Sequence, residues 1–301
     1  MNRKNNKIAY HILIFFLKGV SKLPFGVLYG LSTFFSYLFQ YVIRYRKKVV
    51  IANLKNAYPE KDDREIRKIV RGFYLNLTDT MLESIKAWSM TRKQFEQRMK
   101  FTNSEILDRF YAENKNMILL SLHNANWEWA PFVQIYMKHR YMVVYNKVRA
   151  DSSFENFLNQ MRTRWGAEMV ASNKTALLLM RKKEFETPFA FVLLADQRPP
   201  IATNFWATFL NQETSLITGP EKLAHRFNQP VFFFHVNRVK RGHYEIGYTL
   251  IAEEPNKMEP NQILLAYIRE MEKCINKNPE TYLWSHKRWR QKRPENMPMS
   301  D

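Results

Sequence analysis

From residue 117 onward the chain alternates short apolar runs with segments of helical period, and this alternation restricts its fold more than any other feature. The runs 117–122, 141–145, 189–194 and 231–236 are strand-length and rich in aliphatic and aromatic side chains. Between them, 127–137, 154–165, 174–183 and 219–227 read as helices. Such an order predicts an α/β fold, a central, mostly parallel sheet flanked by helices, because each crossover lays a helix on a sheet face. The stretch 243–251 follows Arg241-Gly242 so closely that it predicts an antiparallel hairpin with the strand before it. Upstream, 47–57 and 62–88 read as helices separated by Pro59. The second repeats Ile66, Ile69, Val70, Phe73, Leu77 and Met81 near a 3.6 period, with Asp62 and Asp63 suited to its N-terminus. No internal repeat or low-complexity linker divides the chain. One domain over 46–301, with a helical annex at about 46–115, is expected.

The first 45 residues differ in kind. Residues 23–43 form 21 positions without a formal charge, bracketed by Lys22 and by Arg44, Arg46, Lys47 and Lys48. That is long enough to cross a bilayer. An earlier apolar piece, 8–17, is shorter and is separated from it by Lys18, Gly19 and Pro24. No small-residue cleavage site follows either piece, so the expectation is an uncleaved N-terminal membrane anchor over 1–45. Tyr29, Ser32, Thr33, Ser36, Tyr37, Gln40 and Tyr41 favour a surface-lying segment over a spanning one, and a helix pair packed on the domain is the alternative. The basic flank predicts that the following domain stays on the cytoplasmic side.

A formal net charge of +19 directs the protein toward anionic partners: a membrane surface of anionic lipid, an acidic carrier protein or a phosphorylated lipid. The run His286-Lys-Arg-Trp-Arg-Gln-Lys-Arg293 holds five of these cations in eight residues. It reads either as a solvated terminal segment or as an interface for anionic lipid, phosphate or acidic protein. No nucleic-acid module signature is present, and no nucleic-acid partner is expected. Cys274 is the single cysteine, which excludes an intrachain disulfide and a cysteine-based zinc site. It falls in a predicted helix, 263–276, as a packing residue.

His123-Asn-Ala-Asn-Trp-Glu128 carries the chemistry. On one continuous helix, positions five apart point about 140° away from each other and cannot share a proton. At the turn between a strand and a helix, however, the glutamate can fold back onto the imidazole. Glu128 would then fix the tautomer of His123 and leave the other ring nitrogen free to take a proton from an attacking hydroxyl. The chain has no G-x-S-x-G elbow, so direct acyl transfer to an alcohol is favoured over a covalent enzyme intermediate. Ser121 is expected to point into the strand packing. Phe205, Trp206, Phe209 and Leu210 read as core before they read as a channel.

These blocks together resemble the lipid A biosynthesis lauroyl/myristoyl acyltransferases, the late, lysophospholipid-acyltransferase-like enzymes of Gram-negative bacteria. Leu119-Leu-Ser-Leu-His-Asn-Ala-Asn-Trp-Glu128 looks like the family's H-x4-D/E block, and Leu194-Ala-Asp-Gln-Arg198 like its Asp-Gln block. Tyr282-Leu-Trp-Ser-His-Lys-Arg-Trp289 is similar to its Tyr-x-Trp-x-His-x-Arg ending. Arg198-Pro199-Pro200 departs from the glycine-bearing turn common after the Asp-Gln pair. The resemblance implies an inner-membrane enzyme that moves an acyl chain from acyl carrier protein to a hydroxyl of a lipid A precursor, without metal or organic cofactor. It implies His123 as general base and Glu128 as its orienting carboxylate. Either Arg162 or Arg164, in Met161-Arg-Thr-Arg-Trp-Gly166, is implied to bind phosphate or the oxyanion, and Asp196 and Gln197 are further site candidates. The alternatives are an acyltransferase for another glycolipid, a lysophospholipid or glycerol phosphate, and a non-catalytic membrane-surface binding protein.

Overall fold

Proline sets the first break in the chain. In a computed structural model, which describes residues 3–145, 153–181 and 185–300, helix α1 (Arg3–Ser21) ends shortly before Pro24, the N-cap residue of α2 (Phe25–Tyr37). A proline biases the residue before it away from helical backbone, so the two helices part there. They are bent by 117° relative to one another, and α2 runs on into a π-helical turn, Leu38–Val42. Most of the apolar segment 23–43 is thus one helical run, Phe25–Val42, α-helical to Tyr37 and π-helical from Leu38, and the bend sets it off from α1. Among the described residues no single helix is long and apolar enough to cross a membrane, and only the bent pair meets the length and composition. Residues 1 and 2 of the expected anchor lie outside the described residues.

Helices α3 (Lys47–Ala57) and α4 (Asp63–Lys86) fall where their periodicity predicts. Asp62 accepts from the backbone of Arg64 and Glu65 while Glu65 reaches back to the Asp62 N–H, a capping box that fixes where α4 starts. α5 (Arg92–Arg98), β1 (Met99–Phe101) and α6 (Glu105–Ala112) follow. Then come β2 (Met117–Ser121), β3 (Arg140–Tyr145), α7 (Ser153–Thr163), β4 (Glu168–Ala171), α8 (Thr175–Met180) and β5 (Phe189–Leu194). The chain closes with β6 (Trp206–Phe209), β7 (Gln212–Ser215), α9 (Gly219–Phe227), β8 (Val231–Lys240), β9 (His243–Ala252) and α10 (Gln262–Lys277).

Seven strands form the central sheet in the order β1-β9-β8-β2-β5-β3-β4. Its pairs are parallel except for the β8–β9 hairpin turning at Arg241-Gly242, as expected. Strand β1, from the helical annex, closes the edge beside β9. Every residue of β2 is buried, as a strand covered on both faces must be. Alternate side chains feed two cores: Ile118 and Leu120 pack with α3, α4 and α10, and Met117 and Leu119 with Phe95, Phe110 and Phe132.

Some elements differ from expectation. Strands β1 and β4 are too short to show a period. The hairpin β6–β7 turns through Leu210 and Asn211, both with positive φ, and Phe205, Trp206, Phe209 and Leu210 are buried core residues. The segment 127–137 is a 3-10 helix, Trp127–Ile135, rather than an α-helix. Pro131 within it lacks the N–H that an α-helical bond needs, and its ring crowds the carbonyl four residues back. The helix expected over 174–183 is the shorter α8, and Lys183 lies outside the described residues. Cys274 is buried in α10, where burial pushes its thiol pKa up to about 12.

Helix α2 is pinned to this body through polar contacts. Ser32 donates to Asp79 of α4 at 2.6 Å. The fully buried Asp79 carboxylate also accepts from Arg238 and Arg241 at 2.9 and 2.7 Å. Removing a buried carboxylate strands both cations, so Asp79→Ala is expected to lower the unfolding free energy by about 3 kcal/mol. Ser32→Ala, which deletes one hydrogen bond to that carboxylate, costs about 1.5 kcal/mol. Urea denaturation of the two variants beside the parent protein checks the order.

Candidate active site

Adjacent parallel strands in fixed register carry their following residues to matching positions. β2 pairs with β5 so that Ser121 stands beside Leu194. The register continues one step further, with the Ala195 N–H donating to the Ser121 carbonyl. His123 and Asp196 each lie two residues beyond this pair, at the C-terminal ends of neighbouring strands where α/β folds gather their site residues. Their side chains meet: His123 Nδ1 lies 2.7 Å from Asp196 Oδ1.

Asp196 is only 2% exposed at its side chain, and His123 is 19% exposed. Burial pushes the Asp196 carboxyl up. The opposing pull of His123, through charge and hydrogen bonds, and the charge of Arg288 together hold it below the ordinary aspartate value. An ionised carboxylate on Nδ1 fixes the proton there and leaves Nε2 as the basic nitrogen. Gln197 follows directly, its amide nitrogen 3.2 Å from His123 Nε2. The Trp127 ring packs edge-on against the imidazole at 5.3 Å.

Glu128, expected to orient His123, does something else. Its carboxylate takes a two-pronged pair from Arg162, Nε at 2.9 Å and Nη2 at 2.6 Å. The cause lies in the turn. Ala125 adopts a left-handed conformation (φ 50), and Asn126 caps the 3-10 helix by accepting from the Trp129 N–H. Glu128 thus lies in the first turn of that helix and pairs with α7, while Asp196 fills the place beside the imidazole. Of the two arginine candidates, Arg162 is the one paired with Glu128. Arg164 donates instead to the backbone oxygens of Ala87 and Met90, both at 2.9 Å.

The Tyr282–Trp289 block embraces the same turn. Leu283 N–H donates to the His123 carbonyl at 3.1 Å, and Ala125 N–H to the Thr281 carbonyl at 3.0 Å. Thr281 also donates to the Asn124 side chain at 2.8 Å. The basic run at 286–293 is therefore not simply a solvated tail. Arg288 is 2% exposed and donates to the Ser215 carbonyl, and Trp289 stacks on Phe209. Ser121 is buried, as expected, and its carbonyl accepts from the Tyr267 hydroxyl. Among the described residues no three His, Cys, Asp or Glu side chains lie close enough together to hold a metal ion.

An apolar cavity of about 360 Å³ begins beside the turn. Trp127 and Glu128 border it, and Phe35, Leu38, Leu77 and Ile85 line its wall. A bigger cavity of about 750 Å³ surrounds Thr218, Glu221, Lys222 and His225, but neither His123 nor Glu128 borders it. His123 itself borders neither, and the smaller cavity reaches it through Trp127, whose ring packs on the imidazole.

The family model for bacterial lipid A biosynthesis acyltransferases matches residues 3–291. The chain is also 24% identical over 290 residues to a lipid A biosynthesis lauroyltransferase of Escherichia coli (strain K12), covering 93% of this chain and 90% of the relative.

His286, in the same block, accepts from the Arg198 N–H at 3.3 Å. Burial, followed by the charges of Arg288, His123 and Arg198 against the opposing pull of Asp196, lowers its pKa from 6.5 to about 4. With the folded pKa below the unfolded one, the neutral ring's contribution is complete above 6.5 and is lost as pH falls toward 4. Thermal unfolding of the parent protein should therefore lose stability across that window more steeply than that of a His286→Gln variant.

Proposed function

The chain belongs to the bacterial lipid A biosynthesis acyltransferase family, and from that membership we propose that it moves a fatty acyl chain from acyl carrier protein to a hydroxyl of a lipid A precursor, with His123 as general base. The observation that carries this reading is the 2.7 Å contact between His123 Nδ1 and Asp196 at the ends of neighbouring strands. Asp196 orients the imidazole and stabilises its charged form. Nε2 takes the proton of the acceptor hydroxyl, and the hydroxyl oxygen attacks the thioester carbonyl. The tetrahedral oxyanion collapses, the carbon–sulfur bond breaks, and the thiolate leaves with the proton returned from the imidazolium. The Gln197 amide nitrogen, 3.2 Å from Nε2, is positioned to donate to the developing oxyanion. Arg162 holds Glu128, which borders the cavity.

In this reading the apolar cavity takes the acyl chain, and its wall from α2 and the π-helical turn puts the membrane beside it. Phe15, Phe16, Phe34 and Val42 are 82, 64, 62 and 72% exposed on the N-terminal helix pair. An exposed apolar face flanked by Arg44, Arg46 and Lys48 fits an anionic bilayer surface. The protein would lie on the cytoplasmic face of the bacterial inner membrane, with its lipid acceptor arriving from the same leaflet.

Transfer of a radiolabelled acyl chain from acyl carrier protein to a tetra-acylated, Kdo-bearing lipid A precursor tests the reading, with a lysophospholipid as the competing acceptor. His123→Ala and Asp196→Asn should each lower kcat by about 10³-fold to 10⁴-fold in folded protein. Transfer that survives His123→Ala, or that favours the lysophospholipid, rejects it. Leu77→Trp fills the cavity wall, and the preferred acyl chain should shorten, because each excluded methylene costs about 0.8 kcal/mol, or roughly fourfold in selectivity. A donor series of increasing chain length reads that shift.

A further inference from the structure

Helix α4 carries a second buried carboxylate that takes no part in the chemistry above. Glu83 lies one turn beyond Asp79 and is 1% exposed. Three donors from three different elements converge on it. The Tyr29 hydroxyl of α2 reaches Oε1 at 2.7 Å, the Tyr244 hydroxyl of β9 reaches Oε2 at 2.6 Å, and Asn126 Nδ2 reaches Oε2 at 2.6 Å. The Glu83 carbonyl also accepts from the Trp129 indole at 3.0 Å.

Asn126 is the residue that caps the 3-10 helix and stands between His123 and Glu128. Its amide nitrogen is spent on Glu83 and its amide oxygen on the Trp129 N–H, so Glu83 fixes how the cap is turned. Tyr29 sits on the helix that presents the exposed apolar face. One carboxylate thus joins the N-terminal helix pair to the turn bearing His123.

We propose that Glu83 is a positioning residue that couples the seating of α2, through Tyr29, to the geometry of the His123–Glu128 turn, through Asn126. The inference rests on the acyl-transfer reading of that turn. A helix pair displaced from the body would withdraw the Tyr29 hydroxyl and leave Oε1 without a donor. An under-solvated carboxylate in this position gains a proton. Its new O–H, on the oxygen that Tyr29 has left, then needs an acceptor, which Asn126 Nδ2 and the Tyr244 hydroxyl, both donating to Oε2, do not offer without turning. Burial already pushes the Glu83 pKa up to about 7, helped by Asp79 and opposed by Tyr244, Tyr29 and Arg238. The carboxylate therefore has little reserve. Arg98, close enough to affect Tyr29, is the further charge on that side.

Tyr29→Phe removes one hydroxyl and nothing else, Glu83→Gln removes the charge at constant shape, and Ser32→Ala cuts a different tie of α2, to Asp79. The full-length protein and the three variants are compared by kcat and KM for the acyl donor and by hydrogen exchange of the amides at 124–129. Tyr29→Phe and Glu83→Gln are expected to lower kcat by about tenfold, the worth of one hydrogen bond to a charged group, with KM changed by less than about twofold. Exchange at 124–129 should rise in both. Ser32→Ala should lose stability with kcat and exchange at the turn unchanged. Parental exchange and kcat in Tyr29→Phe and Glu83→Gln would overturn the coupling, as would an equal effect of Ser32→Ala. Should the parent protein transfer no acyl chain, the functional reading falls on its own, and exchange at the turn still decides whether Glu83 holds it.

Discussion

The parallel pairing of β2 with β5 is the constraint on which the site depends. Neither His123 nor Asp196 belongs to a strand, and 73 positions separate them in sequence. They meet because hydrogen bonds between two buried strands hold Ser121 beside Leu194, and each chain then runs two residues further. A one-residue slip would turn every side chain of β2 to the opposite face and separate the pair. Such a slip is resisted by the cores on both faces, since Ile118 and Leu120 fill one and Met117 and Leu119 the other. The geometry of the pair is thus set by the same burial that stabilises the sheet.

Helix α4 is the second organising element. Its outer turns follow an ordinary amphipathic pattern, but Asp79 and Glu83 place two carboxylates in the interior, one turn apart. Isolated charges there would be expensive, and each is met by donors from distant parts of the chain. Asp79 collects Ser32, Arg238 and Arg241, while Glu83 collects Tyr29, Tyr244 and Asn126. These contacts hold α2 against the body by its polar side. Buried Leu28 and the packing of Phe25 and Phe39 on the two cores add apolar contacts, while Phe34 and Val42 remain exposed.

Much of this arrangement was legible in the residues. The four apolar runs from 117 onward became β2, β3, β5 and β8, and the hairpin after Arg241-Gly242 formed as its spacing required. Residues 62–88 were readable because Asp62 and Glu65 mark a helix start and Ile66 to Met81 repeat at its period. His123, Asp196, Gln197 and Arg162 were all singled out; the first three lie together, and Arg162 pairs with Glu128. The pairing among them was misread. Glu128 is near His123 in the chain, and proximity in sequence is a tempting guide to contact. The turn that Ala125 and Asn126 impose sends that carboxylate to Arg162 instead. Asp79 and Glu83 went unremarked because a carboxylate on an amphipathic helix looks like solvated surface until its partners are known.

Local pattern by itself determined the fold class and the order of elements from 117 onward, because periodicity, capping and turn chemistry act over a few residues, and it singled out His123 as a candidate base at a strand end. It also marked the N-terminal 45 residues as a different kind of surface. Only the tertiary structure decided that Asp196 meets His123, that Glu128 and Arg162 form a separate pair, and that α2 is pinned to the body through Tyr29 and Ser32. Those outcomes rest on strand register and on buried hydrogen bonds between residues tens to hundreds of positions apart. Such contacts exist only once the chain has closed on itself.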